Sequence, residues 1–229
     1  MISFFQENKD VLEETVSEEK TLSIYNLIID GGLGGQIIIA LLFVLLTVAL
    51  YIYFERFFAI KSASKLDENF MNQIKEHVSN GKLEAADTLC KSKNTPTARL
   101  IGKGISRIGK PLDDIHTAIE TAGKLEVYQL EKNVSVLATI AGVAPMIGFL
   151  GTVIGMIVAI HEIANAGGQI DIKMLSDGLY TAMTTTVAGL IVGIIAYITY
   201  NHLVVRTDKV VYQMEAKSVE FLDLLNEPV

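Results

Sequence analysis

Apolar positions in this chain are gathered into three long runs instead of recurring at a regular helical or strand spacing. Residues 37–54 contain one clearly polar member, Thr47, and residues 133–160 and 178–203 contain no Asp, Glu, Lys or Arg. About 18 such residues are enough for a helix to cross a hydrocarbon layer ~30 Å thick, so each run predicts a transmembrane helix. At about 1.5 Å per residue the second and third would measure roughly 40 Å and are expected to tilt or protrude as continuous helices. The pattern therefore predicts an all-α membrane protein. Its segments are an N-terminal stretch (1–35), a first span (36–58), a helical domain (59–132), a second span (133–161), a short loop (162–177), a third span (178–204) and a C-terminal helix (205–229).

The polar segments have patterns of their own. Leu22, Tyr25, Ile28 and Ile29 fall at helical spacing, which predicts a helix along the outer membrane surface. The Gly31-Gly32-Leu33-Gly34-Gly35 cluster reads as a break before the first span. Beyond that span, Leu66, Phe70, Ile74 and Val78 form an apolar stripe that Asn80-Gly81 should stop. Pro96 and Gly109-Lys110-Pro111 punctuate the rest of this segment. From Leu112 the series Ile115, Ile119, Ala122, Leu125 meets no breaker, so one long helix is expected to run into the second span.

Charge sets the expected orientation. Thirteen of the nineteen lysines and arginines lie in residues 56–132, and Arg206, Lys209 and Lys217 add three more in the tail. The positive-inside rule places both segments in the cytoplasm, which gives an N-out, C-in topology. The first 35 residues hold seven acids and two lysines, a short acidic tail of the kind that is easily translocated. The start MISFFQENKDVLEE is acidic where a signal peptide would be basic, so no secretory signal is expected there. A net charge of -7 argues against a nucleic-acid partner, which would need a basic face.

Candidate chemistry is sparse. Residues 104–111 approach a phosphate-binding loop but have proline where the Ser or Thr for Mg²⁺ belongs, and no strand is predicted before them. His161-Glu162 begins like a zinc-protease motif, yet Asn165 occupies the second histidine's place. His77, His116, His161 and His202 show no ligand spacing, so no metal or cofactor is expected. His161 and His202 sit at span ends, where their rings can reach headgroups. Cys90, the sole cysteine, reads as a small apolar residue on a helix face and a cytoplasmic marker for labelling. An enzyme is not expected.

The informative feature lies inside the spans. Ala141, Ala144, Gly148, Thr152, Gly155 and Ala159 recur at three- and four-residue steps, as do Ala182, Thr186, Gly189, Gly193 and Ala196. Small faces of this kind let helices approach closely in lipid, and Gly151-xxx-Gly155 and Gly189-xxx-Gly193 are packing signatures. Thr181, Thr184, Thr185 and Thr186 add hydroxyls beyond what packing requires, and hydroxyls can order water. These faces are too polar for lipid and are expected to line a cavity filled by partner helices. The spans carry no ionisable group in their apolar cores, so any titrating group must come from a partner.

Residues 144–156 (APMIGFLGTVIGM) and 178–190 (GLYTAMTTTVAGL) resemble the second- and third-span signatures of the MotA/TolQ/ExbB proton-channel family. Three spans and a large segment between the first two match the ExbB/TolQ branch. The resemblance implies a pentameric ring in the bacterial inner membrane, with the N-terminal segment in the periplasm. The ring would surround ExbD- or TolR-like single-span partners, each with an intramembrane aspartate. Such complexes convert proton-motive force into work on a TonB- or TolA-like protein. Thr152 and Thr186 would match the family's pore threonines, with Thr181 and Thr185 beside the same proton pathway. Ala144, Pro145, Gly148, Gly151, Gly155, Ala182, Gly189 and Gly193 would pack the pore helices. ExbB-type members often carry glutamate where Thr181 stands. The alternative is a structural oligomer that scaffolds other membrane proteins without conducting protons.

Overall fold

The computed structural model describes residues 32–65, 69–165 and 172–226. Among them are seven α-helices and no strand: α1 (Gly32–Ala63), α2 (Phe70–Ser79), α3 (Leu83–Lys93), α4 (Pro96–Ile105), α5 (Leu112–Glu131), α6 (Val134–Asn165) and α7 (Ile172–Asn226). Three stretches are long and apolar enough to cross a membrane: Gly34–Ala63, Leu112–Asn165 and Gly178–Asn226. The expected all-α architecture with three candidate spans is present. The surface helix expected within residues 1–35 and the residue Leu66 lie outside the described residues.

The third span and the C-terminal helix are one element, α7, whose 55 residues measure about 82 Å at helical rise. The second apolar stretch, by contrast, is not a single helix. Lys132 is extended (ψ 130°) and Asn133 takes a left-handed φ of 63°, so the ladder stops at Glu131 and restarts at Val134. Asparagine is among the few residues with a side chain that tolerate this conformation, which corrects the expectation of an unbroken helix from Leu112. A second correction concerns the glycines before the first span. Gly32, Gly34 and Gly35 are already helical, and Gly31 lies outside the described residues.

The described residues fall into two compact units. One holds those up to Leu42 together with Ile147–Gly189, and the other holds Phe43–Met146 and Leu190–Val229. In the second unit, α2 to α5 pack pairwise in chain order. Phe70 and Ile74 of α2 are fully buried, and the left-handed Gly81 (φ 70°) follows the Asn80 cap, so the stripe stops where expected. Thr95 caps α4 by accepting from the Ala98 amide, and Pro96 takes the first-turn position where its missing N–H costs nothing. The face of α4 is closed by Gly104. A β-carbon there would sit 2.6 Å from Phe221 of α7 and 2.8 Å from Ile119 of α5. This glycine is therefore a packing position, not part of a phosphate loop.

Polar contacts tie the same unit together. Arg99 of α4 makes a bidentate pair with the buried Glu126 of α5, at 2.7 and 2.5 Å. These hydrogen bonds to Glu126 hold the guanidinium pKa above its ordinary value. The His202 ring does not reach outward as expected. It is half-buried, 3.0 Å from the Tyr53 hydroxyl at Nδ1, and accepts from Arg206 at Nε2 (2.9 Å). A neutral ring that accepts at Nε2 has its proton on Nδ1, so it donates to Tyr53. Exposed His161 accepts from Asn165, the residue that breaks the zinc-like motif.

Cys90 lies on the buried face of α3 with 3% of its surface exposed, and burial pushes its thiol up to about 12. It therefore packs as an apolar residue but is unsuitable as a topology marker, because a reagent would miss it from either side. The thiolate is the reactive form, and it is essentially absent below the raised pKa. A disulfide reagent at pH 8 should leave the folded protein unmodified. The same reagent should titrate one thiol per chain in denaturant, matching the single cysteine. Rapid modification of the native protein at pH 8 would contradict this packing.

Candidate functional site: a threonine pair in a glycine seam

The small faces of α6 and α7 are turned toward each other along the two helices. A β-carbon on Gly148 would stand 2.8 Å from the Thr185 carbonyl oxygen and 3.1 Å from the Cα of Gly189. One on Gly151 would fall 2.7 Å from the Thr185 Cβ, and one on Gly155 would fall 3.1 Å from the Ala182 Cβ. Real β-carbons essentially never make contacts under 3.0 Å, so only glycine allows the two backbones this approach. Glycine has no side chain to keep the helices apart, and this is why the faces pair within one chain.

Further along the same two helices, Gly193 meets Pro145. A β-carbon at Gly193 would lie 2.7 Å from the proline ring and 3.2 Å from the Ala141 carbonyl oxygen. Pro145 cannot donate the helical bond that this carbonyl would otherwise accept. Gly193 brings bare backbone to that point. Ala144 is fully buried beside it in the sequence.

Within the seam the hydroxyls form a connected set. Thr152 and Thr186, one on each helix, are hydrogen-bonded to one another through their Oγ1 atoms. Thr152 Oγ1 is also 3.1 Å from the Ala182 carbonyl, and Thr186 Oγ1 is 3.2 Å from the Gly148 carbonyl. Each hydroxyl has one proton, so the pair can be ordered in two ways. Either Thr152 donates to Thr186, which donates to Gly148, or Thr186 donates to Thr152, which donates to Ala182. Rotation of the two hydroxyls exchanges these orders with no heavy-atom movement. Both threonines are half-buried.

The other two threonines are placed differently, and Thr185 Oγ1 shares the pair's acceptors, with the Gly148 carbonyl at 3.4 Å. Thr185 is fully buried, donates to the Ala182 carbonyl at 2.8 Å and fills the space beside Gly151. Thr181 is half-buried and turned toward α1, with its methyl 2.8 Å from where a β-carbon on Gly35 would be. The structure thus brings Thr152 and Thr186 together, adds Thr185 as a wall, and leaves Thr181 on another face. Two contributors escape a reading of the sequence. Gly35 reads there as a loop residue, and Gly178 only as the first residue of the third-span signature, although a β-carbon on Gly178 would sit 2.5 Å from that of Ala159. Gly178 continues the four-residue rhythm back from Ala182, a signal that was available. Among the described residues no cluster of His, Cys, Asp or Glu could hold a metal.

Residues 92–216 match the model of the MotA/TolQ/ExbB proton channel family. The Tol-Pal system protein TolQ of Haemophilus influenzae is 28% identical over 210 residues, 82% of this chain and 87% of that protein. An ExbB homolog named for biopolymer transport in Methanothermobacter thermautotrophicus is 29% identical over 135 residues, 59% of this chain and 47% of that protein. The biopolymer transport protein ExbB of Helicobacter pylori is 39% identical over 79 residues, 34% of this chain and 54% of that protein. The chain thus spans about half the length of these two ExbB relatives.

The seam predicts unequal responses to the same small substitution. Gly151→Ala must push Thr185 aside and should cost ~1–3 kcal/mol, as overpacking does. Gly142, also in α6, has nothing within 4 Å of a built β-carbon. Gly142→Ala should cost nothing or gain up to about 1 kcal/mol from helix propensity. Thermal melts of the purified proteins in one detergent compare them, and equal melting temperatures would refute the packing assignment.

Proposed function

Because the chain belongs to the MotA/TolQ/ExbB proton channel family, we propose that it is the channel-forming subunit of a proton-driven motor in a bacterial inner membrane. The family is one of transport and channel proteins, not of enzymes. In this reading the chain forms a homo-oligomeric ring, a pentamer, with its N-terminus in the periplasm and residues 59–132 and its tail in the cytoplasm. A single-span ExbD- or TolR-like partner supplies the titrating aspartate. The complex then works on a TonB- or TolA-like protein for outer-membrane transport or envelope maintenance.

The observation that carries this reading is the Thr152–Thr186 pair. It joins two spans by hydroxyls whose protons can reverse order, within apolar runs that hold no Asp, Glu, Lys or Arg. A proton arriving on one side of such a pair can be matched by one leaving on the other. The chain has no carboxylate there to store the charge, so the partner must bring one. The buried Thr185 supports packing more than conduction, and Thr181 enters only where α1 leaves it accessible.

Valine keeps threonine's shape without the hydroxyl, and serine keeps the hydroxyl without a methyl group. If the pair conducts, Thr186→Val and Thr152→Val should lose most proton-motive-force-dependent activity, and the serine variants should keep more. If it only packs, the order reverses, because a deleted buried methyl leaves a cavity. Activity in cells, normalised to complex abundance, distinguishes the two. Full activity in the double valine variant at normal abundance would leave the scaffolding reading in its place.

Orientation is tested separately in a Cys90→Ala background. An impermeant maleimide should label Ser17→Cys in intact cells, and should reach Ser92→Cys only after permeabilisation. Ser92 is exposed on α3, so its protection in intact cells cannot come from burial. Labelling of Ser92→Cys in intact cells would invert the topology.

A further inference from the structure

A histidine that joins two helices stands apart from the threonine pair. Tyr53 and Phe57 lie one turn apart on α1, and His202 and Arg206 lie one turn apart on α7. The four side chains form a clamp where both helices leave their apolar runs, which end at Phe54 and Leu203. The Tyr53 hydroxyl is 3.0 Å from His202 Nδ1, and Arg206 Nε donates to His202 Nε2 at 2.9 Å. The guanidinium also lies 4.7 Å from the centre of the Phe57 ring, and the His202 ring is 5.9 Å from the rings of both Tyr53 and Phe57. Thus α1 presents Tyr53 and Phe57 to the imidazole, and α7 presents Arg206. No other titratable or charged side chain bonds to the ring among the described residues. Glu55 and Arg56, close to Tyr53 in the sequence, pair with each other.

From this arrangement we propose that the clamp is a latch between α1 and α7 that opens when His202 takes up a proton. The contact requires the neutral ring. Nε2 accepts from Arg206 only while it has a free lone pair, and the ring proton is then on Nδ1, toward Tyr53. A second proton goes to Nε2 and removes that lone pair. It also sets an imidazolium against a guanidinium at hydrogen-bond distance, with no bonded carboxylate to offset the repulsion. The latch therefore contributes stability while the ring is neutral and loses it as the pH falls. Histidine is the side chain whose charge ordinarily changes between about pH 5 and 8, so the change falls in the range where cellular pH moves. The ring is half-buried at the end of a span, so water can deliver the proton without unfolding. Arg206 loses its place over Phe57 when it swings away from the charged ring, and both halves of the clamp open together. The face of the membrane that supplies the acid follows from the orientation proposed above. The latch itself depends neither on that orientation nor on proton conduction.

The chain has no tryptophan, so Phe57→Trp supplies a single reporter inside the clamp and keeps an aromatic face for Arg206. In the full-length protein in detergent, its emission should shift reversibly to the red between about pH 8 and about pH 5.5, as the clamp opens to water. His202→Gln keeps an acceptor for Arg206 but cannot titrate, and in that background the emission should stay unchanged. Thermal melts without the reporter give an independent measure. Over the same pH range the unaltered protein should lose about 2–4 °C more in melting temperature than His202→Gln, a comparison that cancels the general effects of acid. Should Phe57→Trp fail to fold, the melts decide alone. A flat emission in the reporter protein with His202 intact, the same red shift in His202→Gln, or equal losses of melting temperature in the two would overturn the proposal.

Discussion

The close approach of α6 and α7 is the constraint on which the site depends. In lipid there is no hydrophobic gain from bringing two helices together, so association rests on van der Waals contact and polar pairing. Gly148, Gly151 and Gly155 remove the side chains that would limit that contact, and Thr185 and Ala182 fill the space they leave. Because the backbones are so near, the carbonyls of Gly148 and Ala182 come within reach of hydroxyls on the opposite helix. A single larger residue in the seam would separate the helices and take the hydroxyls out of hydrogen-bonding range.

Closeness also explains why the hydroxyls can sit in an apolar span at all. A lone threonine in hydrocarbon bonds back to its own helix, as Thr184 does with the Tyr180 carbonyl. Thr152 and Thr186 instead have acceptors on both helices and on each other, more acceptors than they have protons. That surplus is what makes the pair reversible. Close packing and the two hydroxyl orders are thus properties of one geometry, and substitutions that keep shape while deleting the hydroxyl are the ones that separate them.

Much of the fold was legible in the sequence. The three spans follow from composition alone and the stop at Asn80-Gly81 from turn chemistry, whereas the joining of the third span and the C-terminal helix into one α7 was not read from the pattern. What was not legible was pairwise. A face of small residues announces close packing but not its partner, so the faces of α6 and α7 could not be matched to each other beforehand. His202 meets Tyr53 across 149 positions, which no local pattern encodes. The turn at Asn133 is hidden in the sequence because asparagine costs little in a helix and announces its left-handed conformation only by adopting it. Gly35 is hidden for a related reason. Clustered glycines signal a loop in water, yet beside a membrane span they also signal a surface against which another helix rests.

The turn at Lys132–Asn133 has a mechanical consequence. A continuous helix transmits axial rotation along its length because every residue is tied to the one four places back. Between α5 and α6 those ties are interrupted, and the left-handed residue supplies two torsions that can take up twist. Torque applied to α6 would be taken up in part at this break before it reached α5. The bidentate pairing of Arg99 with Glu126 lies on the α5 side of that turn.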